Sequence, residues 1–293
     1  MITKLYNDLL EVEADTSGAE LVSIKGKKDN TEYLWSADSK YWSRHAPILF
    51  PIVGKVRNNL YRIGDKEYSL GQHGFARDNE FQIVEVSDNK VIYRLTSSKD
   101  TLKIYPYDFQ LDVEYILKEN SLKIIYKVRN TDSETIFFSI GAHPGFNCPL
   151  SASESVKDYF FDFSEKETAE RLIFDGKTGL LTNTKKIFLQ DENTIKLSET
   201  LFKEDAIIFK NLKSKTISLR NNLNNKKITM EFGDFPYIGL WSKPEGAPFI
   251  CIEPWFGHAD YEDFTGDFSE KSGIISLEKD QEFNCAYTIS IEQ

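Results

Sequence analysis

The chain has 293 residues, 40% of them hydrophobic and 13% aromatic, with 46 Asp plus Glu against 36 Lys plus Arg and a formal net charge of -10. Its basic residues are interleaved with acids and form no sustained patch, which argues against nucleic acid as a partner, because phosphate contacts need a concentrated positive face. No run approaches the roughly 20 apolar residues of a membrane span.

The stretch MITKLYNDLLEVEAD at positions 1–15 lacks the basic start, apolar core and small-residue cleavage site of a signal peptide. The expectation is a cytoplasmic chain with no membrane partner. Cys148, Cys251 and Cys285 are odd in number and have no C-x-x-C spacing, so free thiols and no metal or other cofactor are expected. No Pro/Gly/Ser-rich linker divides the sequence, and one domain over 1–293 is the reading, as a monomer or homodimer.

In chain order, the first chemically suggestive segment is Pro47-Ile-Leu-Phe-Pro-Ile-Val-Gly54, which leads to Lys55, Arg57 and Asn59. If extended, these three alternate onto one face, carrying polar groups out of an apolar run. His73 follows in Gly71-Gln-His-Gly-Phe-Ala-Arg77, where flanking glycines allow close approach of backbone or ligand. Period-2 alternation then dominates. Strands are expected at Val91–Thr96 and at Phe109–Lys118, which places Phe109, Leu111, Val113 and Tyr115 on one face. Leu122–Arg129 completes an antiparallel hairpin across the turn residues Glu119 and Asn120.

A strand at Ile136–Ile140 delivers His143 in Gly141-Ala-His-Pro-Gly-Phe-Asn-Cys-Pro149, where the prolines stiffen the exit. Further strands are expected at Tyr159–Phe163, Ile217–Arg220, Ile228–Phe232, Tyr237–Trp241, Phe249–Glu253, Gly273–Leu277 and Phe283–Ile291. Ser39–Trp42 and Ser198–Lys203 read as helical turns at most. Many short strands with almost no helix predict an all-β sandwich or barrel.

Glu253 closes an apolar strand in Ile252-Glu-Pro-Trp-Phe256, sharing a face with Phe249 and Cys251. A carboxyl in apolar surroundings has a raised pKa, which suits a general base working near neutral pH. Asp205 enters an apolar strand, where a cap or turn role competes with ligand binding. Trp241, Trp255 and Phe256 offer faces for stacking, against core filling as the default for aromatics.

Taken in order, the Gly-x-His-Gly segment at 71–74, the second histidine about 70 residues later and Ile-Glu-Pro-Trp at 252–255 resemble the aldose 1-epimerase (galactose mutarotase) family. The segment Pro47–Gly54 is similar to that family's early Pro-rich strand. The resemblance spans roughly 20–290 and implies a large antiparallel β-sandwich, the galactose mutarotase-like supersandwich, with a sugar lying across one sheet. It implies Glu253 as catalytic base, His143 as general acid and His73 as the second active-site histidine. Arg57, Asp205, Asn59 and Trp255 would bind substrate. The departures are Pro144-Gly-Phe-Asn147 after the second histidine and Asn59 where the family places its arginine. They bring the chain nearer to the divergent branch linked with lactose and tagatose metabolism.

Three alternatives stay open at this level. Arg44, Lys55, Arg57, Arg62 and Arg77 cluster in sequence and would suit a hexose 6-phosphate 1-epimerase. A sugar-binding module without turnover would need neither Glu253 nor His143. His73, His143 and Glu253 would also make a two-His-one-carboxylate metal set, although such ligands usually lie closer in sequence.

Overall fold

The computed structural model describes residues 1–244 and 246–293. Its main feature is one long antiparallel sheet, built where the alternating pattern predicts it. Phe109–Lys118 pairs with Ser121–Asn130 from Lys118↔Ser121 onward. The alternate residues Leu122, Ile124, Tyr126 and Val128 are buried with Phe109, Leu111, Val113 and Tyr115. Each buried apolar side chain of this size stabilises the fold by about 1.5–3 kcal/mol, so the two-residue period fixes which face turns inward.

The strand Tyr159–Phe174 links two runs of the sheet. Its first part, Tyr159 to Phe163, pairs with Thr216–Asn221. After register irregularities between Asp162 and Glu167, Arg171 and Leu172 pair with Ile207–Lys210. Beyond that switch the strands run Ile207–Lys210, Tyr237–Trp241, Phe249–Phe256, Ile140–Ala142 and Ile48–Leu49. A separate three-stranded sheet of Ile2–Tyr6, Leu10–Asp15 and Leu21–Gly26 covers the other run, where the hydroxyls of Tyr93 and Tyr115 donate to the carbonyls of Ala14 and Ala19. The result is a large antiparallel β-sandwich.

Several sequence expectations shift. Ile136–Ile140 is split into Ile136–Phe138, which pairs with Ile275–Leu277, and Ile140–Ala142, which joins the long sheet. Ser39–Trp42 and Ser198–Lys203 are turns, and the one α-helical turn among the described residues lies at Thr101–Ile104. No helix among the described residues is long and apolar enough to cross a membrane.

A buried ion pair braces the wall of the site. Lys271, 3% exposed, donates from Nζ to the His258 carbonyl and to Asp260 Oδ1, both at 2.7 Å. Asp260 Oδ2 accepts the Arg57 backbone N–H at 2.9 Å, and the Asp260 N–H donates to the Lys55 carbonyl at 2.8 Å. Burial is the largest influence on Lys271 and lowers its pKa; Asp260 opposes it. Lys271→Met leaves Asp260 buried and unpaired, and urea unfolding should show a loss of about 3–5 kcal/mol. A loss below about 1 kcal/mol would contradict this bracing role.

Candidate active site

Two neighbouring strands, Tyr237–Trp241 and Phe249–Phe256, floor the site, and turns and loops supply most of the rest. Along Phe249–Phe256, Ile250 and Ile252 enter the main core while Phe249, Cys251, Glu253 and Trp255 share the opposite face. That face floors a cleft of about 410 Å³, whose lining includes Trp42, Lys55, Gln72, His73, Arg77, His143, Lys177, Asp205, Trp241, Glu253 and Trp255. The volume falls in the range of about 300–1,000 Å³ usual for small-molecule sites.

Glu253 lies opposite Gly239 in the ladder. A Cβ on Gly239 would stand 2.8 Å from the Trp255 ring and 3.4 Å from Glu253 Cβ, so only glycine lets the indole and carboxyl settle there. The Trp255 Nε1–H donates to the Ala142 carbonyl at 3.2 Å, which ties the floor to the strand that ends at His143.

His143 Nε2 stands 3.2 Å from Glu253 Oε2. Its ring lies 4.8 Å from that of Trp42 and 5.6 Å from that of Trp241, edge-on to the latter. Nδ1 of His143 and Oε2 of Glu253 are buried without a hydrogen-bond partner among the described residues, so both have capacity for a ligand. Burial depresses the His143 imidazole to about 3, with Arg77 adding to the effect. Burial, and then Asp205, push the Glu253 carboxyl well above its ordinary value. Burial therefore favours a neutral pair, an uncharged imidazole beside a protonated carboxyl. That pair holds the same single proton as an imidazolium-carboxylate pair.

His73 sits 5.6 Å from His143, ring to ring. Its backbone has φ 68 and the next residue, Gly74, has φ 71. A Cβ at Gly74 would run into the Phe50 carbonyl, which is why glycine follows this histidine. The Gly54 N–H donates to His73 Nδ1 at 3.1 Å, so the neutral ring carries its proton on Nε2. The Gln72 amide nitrogen stands 3.2 Å from Nε2. Burial first, then His143, Arg77, Arg44 and Lys55, hold the His73 pKa well below 6.5. His73 is a fixed neutral donor.

Asp205 also reaches the cleft, from a turn with φ 71; its Oδ1 accepts the Ala206 N–H at 2.7 Å. Both the turn role and a place at the site are realised. Arg57 and Asn59 require correction. They line separate hollows on the far side of the segment 175–180, because the chain is not extended there. Arg57–Asn59 forms a 3-10 turn with Asn58 and Asn59 at φ 56 and 57. That breaks the alternation with Lys55, and the cleft arginine is Arg77.

Trp42, Gln72 and Lys177 also line the cleft without any sequence signal for that role beyond Gln72's place beside His73. His45 and His258 stay outside the lining; each ring bonds a backbone carbonyl. One trio among the described residues, His143, Cys251 and Glu253, has donor atoms within 4.8 Å of one another. Burial and then Glu253 push the Cys251 thiol well up, which disfavours the thiolate a metal needs. The donor set is a poor ion cage.

A family model described as aldose 1-epimerase matches residues 1–276. The chromosomal Protein LacX of Lactococcus lactis subsp. lactis is 40% identical over 264 residues, 88% of each chain. A galactose mutarotase related enzyme from Lactobacillus acidophilus has a solved structure that superposes with a TM-score of 0.96 at 34% identity, covering 100% of this chain and 98% of that one. A galactose mutarotase-like protein from Lactobacillus casei ATCC 334 superposes with a TM-score of 0.94 at 32% identity, covering all of both chains.

Proposed function

Because the chain belongs to the aldose 1-epimerase family, we propose that it interconverts the α and β anomers of an aldose by opening and reclosing the sugar ring, with Glu253 and His143 moving the protons. The carrying observation is the 3.2 Å approach of these two groups on the floor of one cleft.

In the forward direction, Glu253 in its carboxylate form takes the proton of the anomeric hydroxyl. The O1 electrons form the C1=O1 bond, the C1–O5 bond breaks, and O5 takes a proton from the His143 imidazolium. Rotation about C1–C2 presents the other face of the aldehyde. Reclosure returns both protons and leaves the pair as it began. One proton on the pair suffices throughout. Each assisted proton transfer is worth about 10²–10⁴-fold. His73, a neutral donor, orients the ring-oxygen side, Asp205 accepts from hydroxyls, and Trp42, Trp241 and Trp255 supply faces for C–H stacking.

Polarimetry on freshly dissolved α-aldoses tests this reading: rotation should relax faster than in buffer, in proportion to protein, and unchanged relaxation for every aldose would refute it. The pH profile carries a second test. The one-proton state is lost on the acid side when His143 is protonated, near 3, and on the alkaline side when Glu253 ionises, well above 4.5. Hence kcat/KM should show no inflection at the ordinary imidazole pKa of about 6.5. An inflection near 6.5, falling as pH rises, would mean that His143 has an ordinary pKa and that the neutral pair is wrong.

A further inference from the structure

Cations crowd the exposed side of the cleft, opposite the buried floor. Lys55, Arg77 and Lys177 line it in a chain whose net charge is -10. Among the described residues, Lys55 Nζ finds only the Thr178 carbonyl, at 3.4 Å, and Lys177 joins no ion pair. Arg77 donates from Nη2 to the Gln72 carbonyl at 2.7 Å, and its Nε is buried without a hydrogen-bond partner. Its nearest carboxylate, on Asp78, stands 3.8 Å from Nε and is held more closely by Arg44, at 2.6 Å. Of the two carboxyls in the cleft, Glu253 is the one that burial pushes towards its neutral form; Asp205 is the other.

A neutral hexose offers only hydroxyls and a ring oxygen. Those groups give the three cations no charge to meet, and positive charge gathered against the sign of the whole molecule steers anions. Lys55 packs on the segment 175–179 so closely that a Cβ on Gly179 would stand 3.2 Å from its Nζ, which brings the Lys55 ammonium to the turn that bears Lys177.

We infer that the sugar turned over here carries an anionic group remote from C1, a phosphate monoester or a carboxylate, held by Lys55, Lys177 and Arg77 while the anomeric carbon faces Glu253 and His143. This rests on the epimerase reading and narrows it to one substrate class.

The test compares glucose and galactose with their 6-phosphates and with glucuronate and galacturonate. Anomer exchange is read at equilibrium by two-dimensional exchange NMR, with buffer rates subtracted. Wild-type protein and the K55A/K177A variant are measured at low salt and in about 1 M NaCl, where screening contracts to about 3 Å. At low salt, at least one anionic class should exceed the neutral sugars in kcat/KM by about tenfold or more. That advantage should shrink in high salt and in the double variant. The phosphate and carboxylate arms identify which anion is used. Neutral sugars turned over as fast as both anions would overturn the inference, as would an advantage that survives the double variant.

Titration calorimetry with glucose 6-phosphate and glucuronate separates this failure from failure of the epimerase reading. Anion binding that is weakened in K55A/K177A, with no exchange of any sugar, would sink turnover and keep the anion site. Neither binding nor exchange of either anion would sink the anion site.

Discussion

Glu253→Gln should lower enzyme-dependent anomer exchange by about 10²–10⁴-fold, the worth of one positioned proton transfer, while leaving the fold intact. Glutamine matches the carboxyl in shape and fits the seat between Gly239, Trp255 and Cys251. It cannot take a proton from the anomeric hydroxyl. Stability should hold or rise. The Glu253 carboxyl has a folded-state pKa above its ordinary value, so the folded protein retains a proton that the unfolded chain releases above about pH 4.3. Burial of this group therefore costs stability as pH rises through that range, and the amide removes the cost. Thermal unfolding at pH 7 together with exchange NMR separates the two effects. A variant that is inactive because it is unfolded would not support the assignment, and a folded variant with wild-type exchange would refute it.

His143→Asn should cost a similar factor, about 10²–10⁴-fold, with some loss of stability, because the imidazole fills the space between Trp42 and Trp241. The informative comparison is the double variant. Two groups 3.2 Å apart that serve one ring-opening step act as a unit, and removing the second after the first should cost only a few-fold more. Multiplication of the two single losses would mean that they act separately, each through its own contact with the sugar. Residual exchange in all three variants would reflect orientation by His73, Asp205 and the tryptophans.

The sheet was legible in the sequence wherever one face is wet and the other buried. Phe109–Lys118 and Tyr237–Trp241 match their expected bounds because alternation and turn residues agree. The hairpin of Tyr159–Phe174 with Leu181–Lys196 was only partly legible. Most of Leu181–Lys196 is exposed, and a strand with little to bury leaves no apolar period to read. The strands Ile2–Tyr6 and Leu10–Asp15 do alternate, with Leu5, Leu10, Val12 and Ala14 buried.

At the site, the legible residues are those whose neighbours are unusual. His73 and His143 are flanked by glycine and proline that serve close backbone packing, and Glu253 interrupts an apolar strand. Arg57 misled because side-chain alternation presumes extended backbone, and two left-handed asparagines turn the chain there. Trp42 and Lys177 reach the cleft from turns whose local sequence carries no sign of what lies across from them. Such convergence is a property of the tertiary fold, not of spacing.

The most direct measurement is exchange spectroscopy on aldoses labelled with ¹³C at C1, with wild-type protein and Glu253→Gln side by side at equal sugar occupancy. The account predicts saturable cross-peaks between the two anomeric carbons with wild type, reduced to near the buffer rate in the variant. Sugar seen bound to wild type without any faster exchange, across neutral and anionic aldoses alike, would contradict it.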